Sequence, residues 1–282
     1  MITMKMNQPC LTNDSSTVWE KSFNQKEFFI KKYKNFIAQD YIDGFNALEL
    51  RADEIPSLEK LNFHLRATGW GVIYVDGYLP QNYYAELLSQ KIAPINKYMR
   101  SLAYLDYAPG PDMLHDIFGH LPMLFSPSYC NYLVLLGKIM AKAVANETEN
   151  QLYHLYIKLA NSHETAGETH FQTKALEKRI KEIEHDLNKS PPIYTLLGRL
   201  FMWTVEFGIL RNARNQFRMY GSGLLSSQNE SLRFCEGKTK VHPFTHAALK
   251  ISYDFSSFQE QLFFSDSFLS LTKNLKFLQK IL

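Results

Sequence analysis

The stretch PGPDMLHDIFGHLP, residues 109–122, breaks the style of everything around it. His115 and His120 stand five apart, Asp112 and Asp116 flank the first of them, and apolar residues fill the gap. On a straight α-helix, positions i and i+5 point about 140° apart, unlike the same-face i, i+4 pair of helical zinc sites. The rings converge only where the helix carries a π-bulge or where one histidine lies at its end, and Gly119 eases either. Neutral imidazoles ligate zinc, iron, copper and nickel. Two partly buried histidines, each bonded to a backbone carbonyl, need no metal at all, so the pair alone leaves both readings open.

A second stretch bears on that choice. FMWTVEFGIL, residues 201–210, sets a single carboxylate, Glu206, inside an otherwise apolar and aromatic helix. An unpaired carboxylate is costly to take out of water, so Glu206 must be protonated, paired or bound to a cation. Arg199 and Arg211 are its candidate structural partners. The alternative joins Glu206 to His115 and His120. Two histidines and one carboxylate on one face of a metal, with the other face open, form the oxygen-activating non-haem Fe(II) arrangement, which needs no sulfur.

Outward from these stretches the pattern is helical. Phe28, Phe29, Tyr33 and Phe36 recur at near-helical spacing between Trp19 and Leu50, after a loose polar start over residues 1–18. A helix is expected after Pro56 on Leu58, Leu61, Phe63 and Leu65, and another over 81–90 after Pro80. Leu133, Leu136, Met140 and Val144 form one stripe; Leu152, Leu155, Tyr156 and Leu159 form the next. Phe171, Leu176, Ile180, Ile183 and Leu187 line one side of a charged surface helix that Pro191 and Pro192 stop. Residues 70–77, rich in β-branched and aromatic side chains between glycines, read as a short strand. Strand and turn signals return at 220–227 and 238–243. The expected fold is a mainly α, single-domain helical core with a minor β-hairpin or short-strand element, a catalytic domain over 19–282 and a charged helical insertion over 147–190.

Composition narrows the partners. At 45% hydrophobic and 14% aromatic, the 282 residues can bury a large core, which excludes global disorder. A net charge of +3, with basic residues interspersed among acids, argues against nucleic acid. The basic run at 31–34 reads as a solvated helix face. No apolar core of about 7–15 residues marks a secretory signal at the N-terminus, and no run of about 18 apolar residues marks a membrane span. Cys10, Cys130 and Cys235 are odd in number and scattered, so a cytoplasmic protein with reduced thiols is expected. Cys130 reads as a small core residue.

The two stretches, with YGSGLLSS at 220–227, carry a resemblance. The motifs Pro111-Asp112-x-x-His115-Asp116-x-x-Gly119-His120-x-Pro122 and Thr204-Val205-Glu206-Phe207-Gly208 are highly specific. Weaker matches are Ile55-Pro56-x-Leu58-Glu59 and Gly77-Tyr78-Leu79. Together, in order over roughly residues 19–277, they resemble the tetrahydropterin-dependent aromatic amino acid hydroxylases, the family of phenylalanine, tyrosine and tryptophan hydroxylases.

That resemblance implies a monooxygenase hydroxylating the ring of a free aromatic amino acid with Fe(II), O₂ and tetrahydrobiopterin or a related reduced pterin. Phenylalanine is the leading substrate and tryptophan a competitor. His115, His120 and Glu206 match the iron ligands. Arg100 matches the arginine that clamps the substrate carboxylate, with Asp112 orienting it. Pro111, Gly223, Ser226 and Ser227 match the substrate side; Gly77, Leu79, Tyr84, Asp116 and Phe201 match the pterin side. The rivals are another Fe(II) oxygenase that keeps the triad, or a non-catalytic metal- or pterin-binding protein.

The chain departs from the animal pattern at Ala108, Gly110, Phe201 and Met202, around the substrate and pterin pockets. Asp116 replaces a glutamate. The 86 residues from His120 to Glu206 are about twice the animal spacing, the excess being the 147–190 stretch, as in a longer bacterial branch. Neither the amino-terminal regulatory domain nor the tetramerisation helix of the animal enzymes is expected, so the protein should be a monomer or dimer.

Overall fold

The computed structural model describes residues 8–105, 110–166, 171–253 and 258–281. Helix α1 (Ser15–Tyr33) starts inside the stretch expected to be loose, because Ser15 and Val18 already face the core. Its buried stripe continues through Trp19, Phe23, Phe29 and Ile30. Phe28, adjacent to Phe29 and therefore about 100° around the helix, is exposed. A 3₁₀ turn over Lys34–Phe36 breaks the helical run before α2 (Gln39–Ala47). Helix α3 (Leu58–Leu65) is capped by Ser57. Leu58, Leu61 and Leu65 face inward at helical spacing, whereas Phe63 falls off that stripe into solvent.

Strand β1 (Gly71–Val75), helix α4 (Gln81–Ser89) and strand β2 (Ile92–Asn96) make a β-α-β unit, its strands parallel from Gly71↔Ile92 to Val75↔Asn96. Gly77, at φ +66°, turns the chain out of β1. Helix α5 (Met113–His115) runs without a break through a π turn (Asp116–His120) into a 3₁₀ turn (Leu121–Phe125). Helix α6 (Pro127–Met140) packs against α4; at Gly137 a Cβ would come within 2.7 Å of the Ala85 carbonyl oxygen. Leu133, Leu136 and Met140 are buried, but the helix ends at Met140, so Val144 lies beyond the stripe and is exposed.

Helices α7 (Glu147–Ala166) and α8 (Phe171–Lys189) pack together, with Ile180, Ile183 and Leu187 buried. Helix α9 (Ile193–Phe201) runs directly into a second π turn (Met202–Glu206). Strands β3 (Ile209–Arg211) and β4 (Phe217–Met219) form a hairpin. Where strand signals were read over 220–227, the chain instead turns into the short helix α10 (Ser222–Ser226). The N–H groups of Tyr220 and Gly221 both go to the Gly208 carbonyl, and a Cβ at Gly221 would lie 2.4 Å from the backbone of Glu206 and Gly208.

Helix α11 (Gln228–Cys235), strands β5 (Lys240–Pro243) and β6 (Gln261–Ser265), and helix α12 (Phe268–Ile281) complete the chain. The second sheet has the order β4-β3-β6-β5, parallel except within the hairpin. One buried core runs from Val18 on α1 to Leu275 on α12, a single mainly helical domain with minor β elements. Cys130 is in that core, and burial pushes its thiol up to about 11.

Candidate active site

Both chemistry-bearing stretches contain a π turn. In the first, the Leu121 N–H bonds to the Asp116 carbonyl; in the second, the Phe207 N–H bonds to Met202. An i→i+5 turn is wider than an α turn, so residues five apart come to one face. His115 and His120 therefore converge, their ring centroids 5.1 Å apart. Each π turn is braced by a buried tyrosine from elsewhere. Tyr41 donates to the Phe118 carbonyl at 2.5 Å, and Tyr220 donates to the Thr204 carbonyl at 2.6 Å.

Glu206 meets both rings. Its Oε2 lies 3.4 Å from His115 Nε2 and its Oε1 3.2 Å from His120 Nε2. Neither arginine considered as its partner reaches it: Arg199 bonds to the Leu249 carbonyl and Asn188, and Arg211 to Asp266. Burial works to raise the Glu206 pKa, but His120 and His115 outweigh it and hold the carboxyl well below its usual range. For His115 burial works downward, and the charge and hydrogen bond of Glu206, with the Asp116 and Asp112 charges, together outweigh it and raise the imidazole. The donor atoms of the three residues lie within 4.8 Å of one another. Two nitrogens and a carboxylate at this spacing fit a divalent iron ion, which accepts imidazole and carboxylate together.

The surrounding groups fix the donors. Ser226 Oγ donates to the Gly223 carbonyl and lies 2.8 Å from His115 Nδ1, so it can accept from Nδ1–H, and Nε2, on the Glu206 side, is the atom that would hold a metal. Ser222 Oγ donates to Glu206 Oε2 at 2.7 Å. Gly223 lies against Glu206, where a Cβ would come within 3.2 Å of its Oε2. Sequence reading did not single out Ser222; its one signal is its place between two glycines in the 220–227 motif.

Arg100 and Asp112 form a buried bidentate pair, Nε to Oδ2 at 2.8 Å and Nη2 to Oδ1 at 2.7 Å. The same carboxylate accepts from the backbone N–H of Arg100 and of His115, tying the arginine to the first histidine. Burial would raise the Asp112 pKa, but these bonds and the Arg100 charge lower it. Pro111 is exposed, its carbonyl accepting from Asn96 Nδ2. Ser227 caps α11, accepting from the Glu230 N–H. Ala108 lies outside the described residues.

The residues matched to a pterin come from the turn after β1, from α4, from the first π turn and from the end of α9. Tyr84 stands edge-on to Phe201, centroids 5.6 Å apart. Burial first, then the Glu206 and Asp116 charges, pushes the Tyr84 hydroxyl well up. Asp116 accepts from the Asn96 N–H at 2.6 Å, a partner the sequence did not reveal; burial raises its carboxyl to about 6. Gly77 and half-buried Leu79 flank Tyr78, whose carbonyl accepts from Tyr153 of α7. A Cβ at Gly110 would strike the Tyr78 hydroxyl at 2.3 Å.

Comparison with known proteins bears on the whole chain. The family model for biopterin-dependent aromatic amino acid hydroxylases matches residues 6–196 and 193–282. Phenylalanine-4-hydroxylase of Chromobacterium violaceum is 30% identical over 236 residues, 82% of this chain and 64% of that protein. The Ralstonia nicotianae enzyme of the same name is 26% identical over 268 residues, 93% of this chain and 70% of its own length. The C. violaceum structure with bound iron(III) and 7,8-dihydrobiopterin is similar at TM-score 0.71 and 26% identity, covering 96% of this chain and 82% of that one. The apo phenylalanine hydroxylase of Colwellia psychrerythraea 34H shares the fold at TM-score 0.71 and 23% identity, over 98% and 88% of the two chains.

Proposed function

The chain belongs to the biopterin-dependent aromatic amino acid hydroxylases, and on that footing we propose that it hydroxylates the ring of free phenylalanine, using Fe(II), a tetrahydropterin and O₂. The convergence of His115, His120 and Glu206 through two π turns supports this most directly. The name shared by the bacterial relatives supports phenylalanine over tryptophan.

In this reading His115, His120 and Glu206 hold iron. Arg100, backed by Asp112, binds the substrate carboxylate and turns the ring toward the metal. Pro111, Gly223, Ser226 and Ser227 line the substrate side. Gly77, Leu79, Tyr84, Phe201 and Asp116 hold the pterin. When bound, the pterin would supply the two electrons and iron would activate O₂, so that one oxygen atom enters the ring and the other is reduced. The protein's share is to orient both partners and exclude water. Residues 147–190 are an insertion carried on that core. Among the described residues no helix is long and apolar enough to cross a membrane. A cytoplasmic monomer or dimer is part of the proposal.

The test is anaerobic loading with Fe(II), followed by O₂, tetrahydropterin and each aromatic amino acid in turn. Tyrosine formed selectively from phenylalanine is expected. Iron-loaded protein that gives no product from any substrate, or product without preference, overturns the proposal. Glu206→Gln should abolish turnover and iron retention while the fold survives.

A further inference from the structure

Helix α1 brings an amine toward Arg100 that no motif marks. Lys26 is 6% exposed, on the buried stripe with Phe23, Phe29 and Ile30. Lysine is almost never buried this fully without a charged partner. Its Nζ donates to the Leu225 carbonyl, which satisfies one of three N–H groups and none of the charge.

The surroundings of Lys26 are polar. Together with Arg100, Ser22, Gln25, Ser226 and Gln228 it lines a cavity of about 40 Å³, room for about three waters or one carboxylate group. None of the described residues lining the cavity is an acid. Asp112, the acid nearest Arg100, already accepts from Nε and Nη2 of that guanidinium. Two cations from different elements thus line one small polar space, and of the two only Arg100 has a carboxylate partner among the described residues. Burial, and then repulsion from Arg100, pushes the Lys26 ammonium down to about 7. An arriving anion would relieve both effects.

We propose that Lys26 is a second cationic contact for the substrate: ammonium and guanidinium together hold the α-carboxylate of the amino acid in this cavity. The inference rests on the reading of Arg100 as the carboxylate clamp. It makes recognition of a free carboxylate a joint property of α1 and the Arg100 segment. The chain would then discriminate more sharply against amines and amides than one arginine allows.

Calorimetry on the iron-loaded protein, held anaerobic so that nothing turns over, separates the possibilities. The probes are phenylalanine and phenethylamine, which keeps the ring and amine and lacks the carboxylate. Wild-type protein should prefer phenylalanine. Lys26→Met should weaken phenylalanine at least tenfold and leave phenethylamine unchanged, within the range for hydrogen bonds to charged groups. Lys26→Arg should recover most of the loss, and Lys26→Gln, a donor without charge, should not. An unchanged phenylalanine affinity in Lys26→Met, equal losses for both probes, or full rescue by Lys26→Gln overturns the role of Lys26. If the wild-type protein itself shows no preference for the carboxylate, the Arg100 reading fails instead. Should phenethylamine bind too weakly to measure, the Lys26→Arg and Lys26→Gln comparison on phenylalanine decides alone.

Discussion

Asp112 meets Arg100 edge to edge, with both side chains about nine-tenths buried, and the same carboxylate caps the helix turn that carries His115. One acid therefore sets the distance between Arg100, the proposed substrate clamp, and His115 of the proposed metal site. In Asp112→Asn the amide keeps the shape and part of the cap but cannot offer two anionic oxygens to a guanidinium. The KM for phenylalanine should rise about tenfold or more, and stability should fall by about 3 kcal/mol as a buried cation loses its partner. Steady-state kinetics and thermal unfolding check both. An unchanged KM would detach Asp112 from the clamp.

Ser222 is joined to the metal site by one hydrogen bond, from its Oγ to Glu206 Oε2. Second-layer partners of metal ligands typically account for about 10–100-fold in affinity. Ser222→Ala should lower iron affinity about tenfold, read as faster loss of iron to a chelator, with the thermal midpoint of the iron-free protein little changed. Iron retention equal to wild type would show that Glu206 is held by its other neighbours alone.

The grouping of His115, His120 and Glu206 was legible in the sequence, and what holds the turns that bring them together was not. Glu206 stands out because a carboxylate in an apolar helix needs a partner, and the five-residue gap between His115 and His120 announces a distorted turn. The π turns themselves are braced by Tyr41 and Tyr220, 77 and 16 residues from the carbonyls they satisfy. No local pattern encodes such a bond. Strand β2 escaped notice for a similar reason: it has five residues, includes Pro94, and is held mainly by pairing with β1. Nothing in the sequence marks Lys26, since only the fold shows which side of α1 faces Arg100.

Gly119 supplies the close approach between the two halves of the site. A Cβ there would lie 2.8 Å from the Ser222 carbonyl oxygen and 3.0 Å from its Cβ. Gly119→Ala must push α10 off the first π turn, and overpacking of this kind costs about 1–3 kcal/mol. Iron affinity should fall with stability, because Ser222 and Ser226 ride on the displaced helix. Chelator competition and thermal unfolding of this variant should therefore move together; stability lost without any change in iron affinity would refute the coupling.

Lys26 predicts a pH signature in the ligand-free protein. Its amine is pushed down from 10.5 to about 7 on folding, by burial and then by Arg100. Between those values the unfolded chain binds more protons than the folded one, so this residue makes stability rise with pH across that window. Lys26→Met removes the effect. The variant should unfold at a higher temperature than wild type at pH 6–7, by roughly 3 °C or more for a chain of this size. The difference should shrink as pH rises toward 10. A constant difference across the window would mean that the lysine keeps its ordinary pKa.

Tyr153 ties α7 to the turn after β1, its hydroxyl donating to the Tyr78 carbonyl at 2.9 Å. That carbonyl lies between Gly77 and Leu79, the two positions matched to backbone contacts with the pterin. Gly77 sits at positive φ and has no atom within 4 Å of where its Cβ would be, so packing at that position does little to hold the turn. The hydrogen bond from α7 therefore restrains a segment that must present its backbone to a ligand. Tyr153→Phe keeps the ring and removes the donor, at a net cost of about 1 kcal/mol. Tetrahydropterin affinity, followed by fluorescence or calorimetry on the iron-loaded protein without O₂, should fall about three- to tenfold. Iron content and phenylalanine affinity should stay as they are. Unchanged pterin affinity would leave α7 without a part in the site; a matching loss of phenylalanine affinity would mean that the substitution had loosened the core rather than the turn.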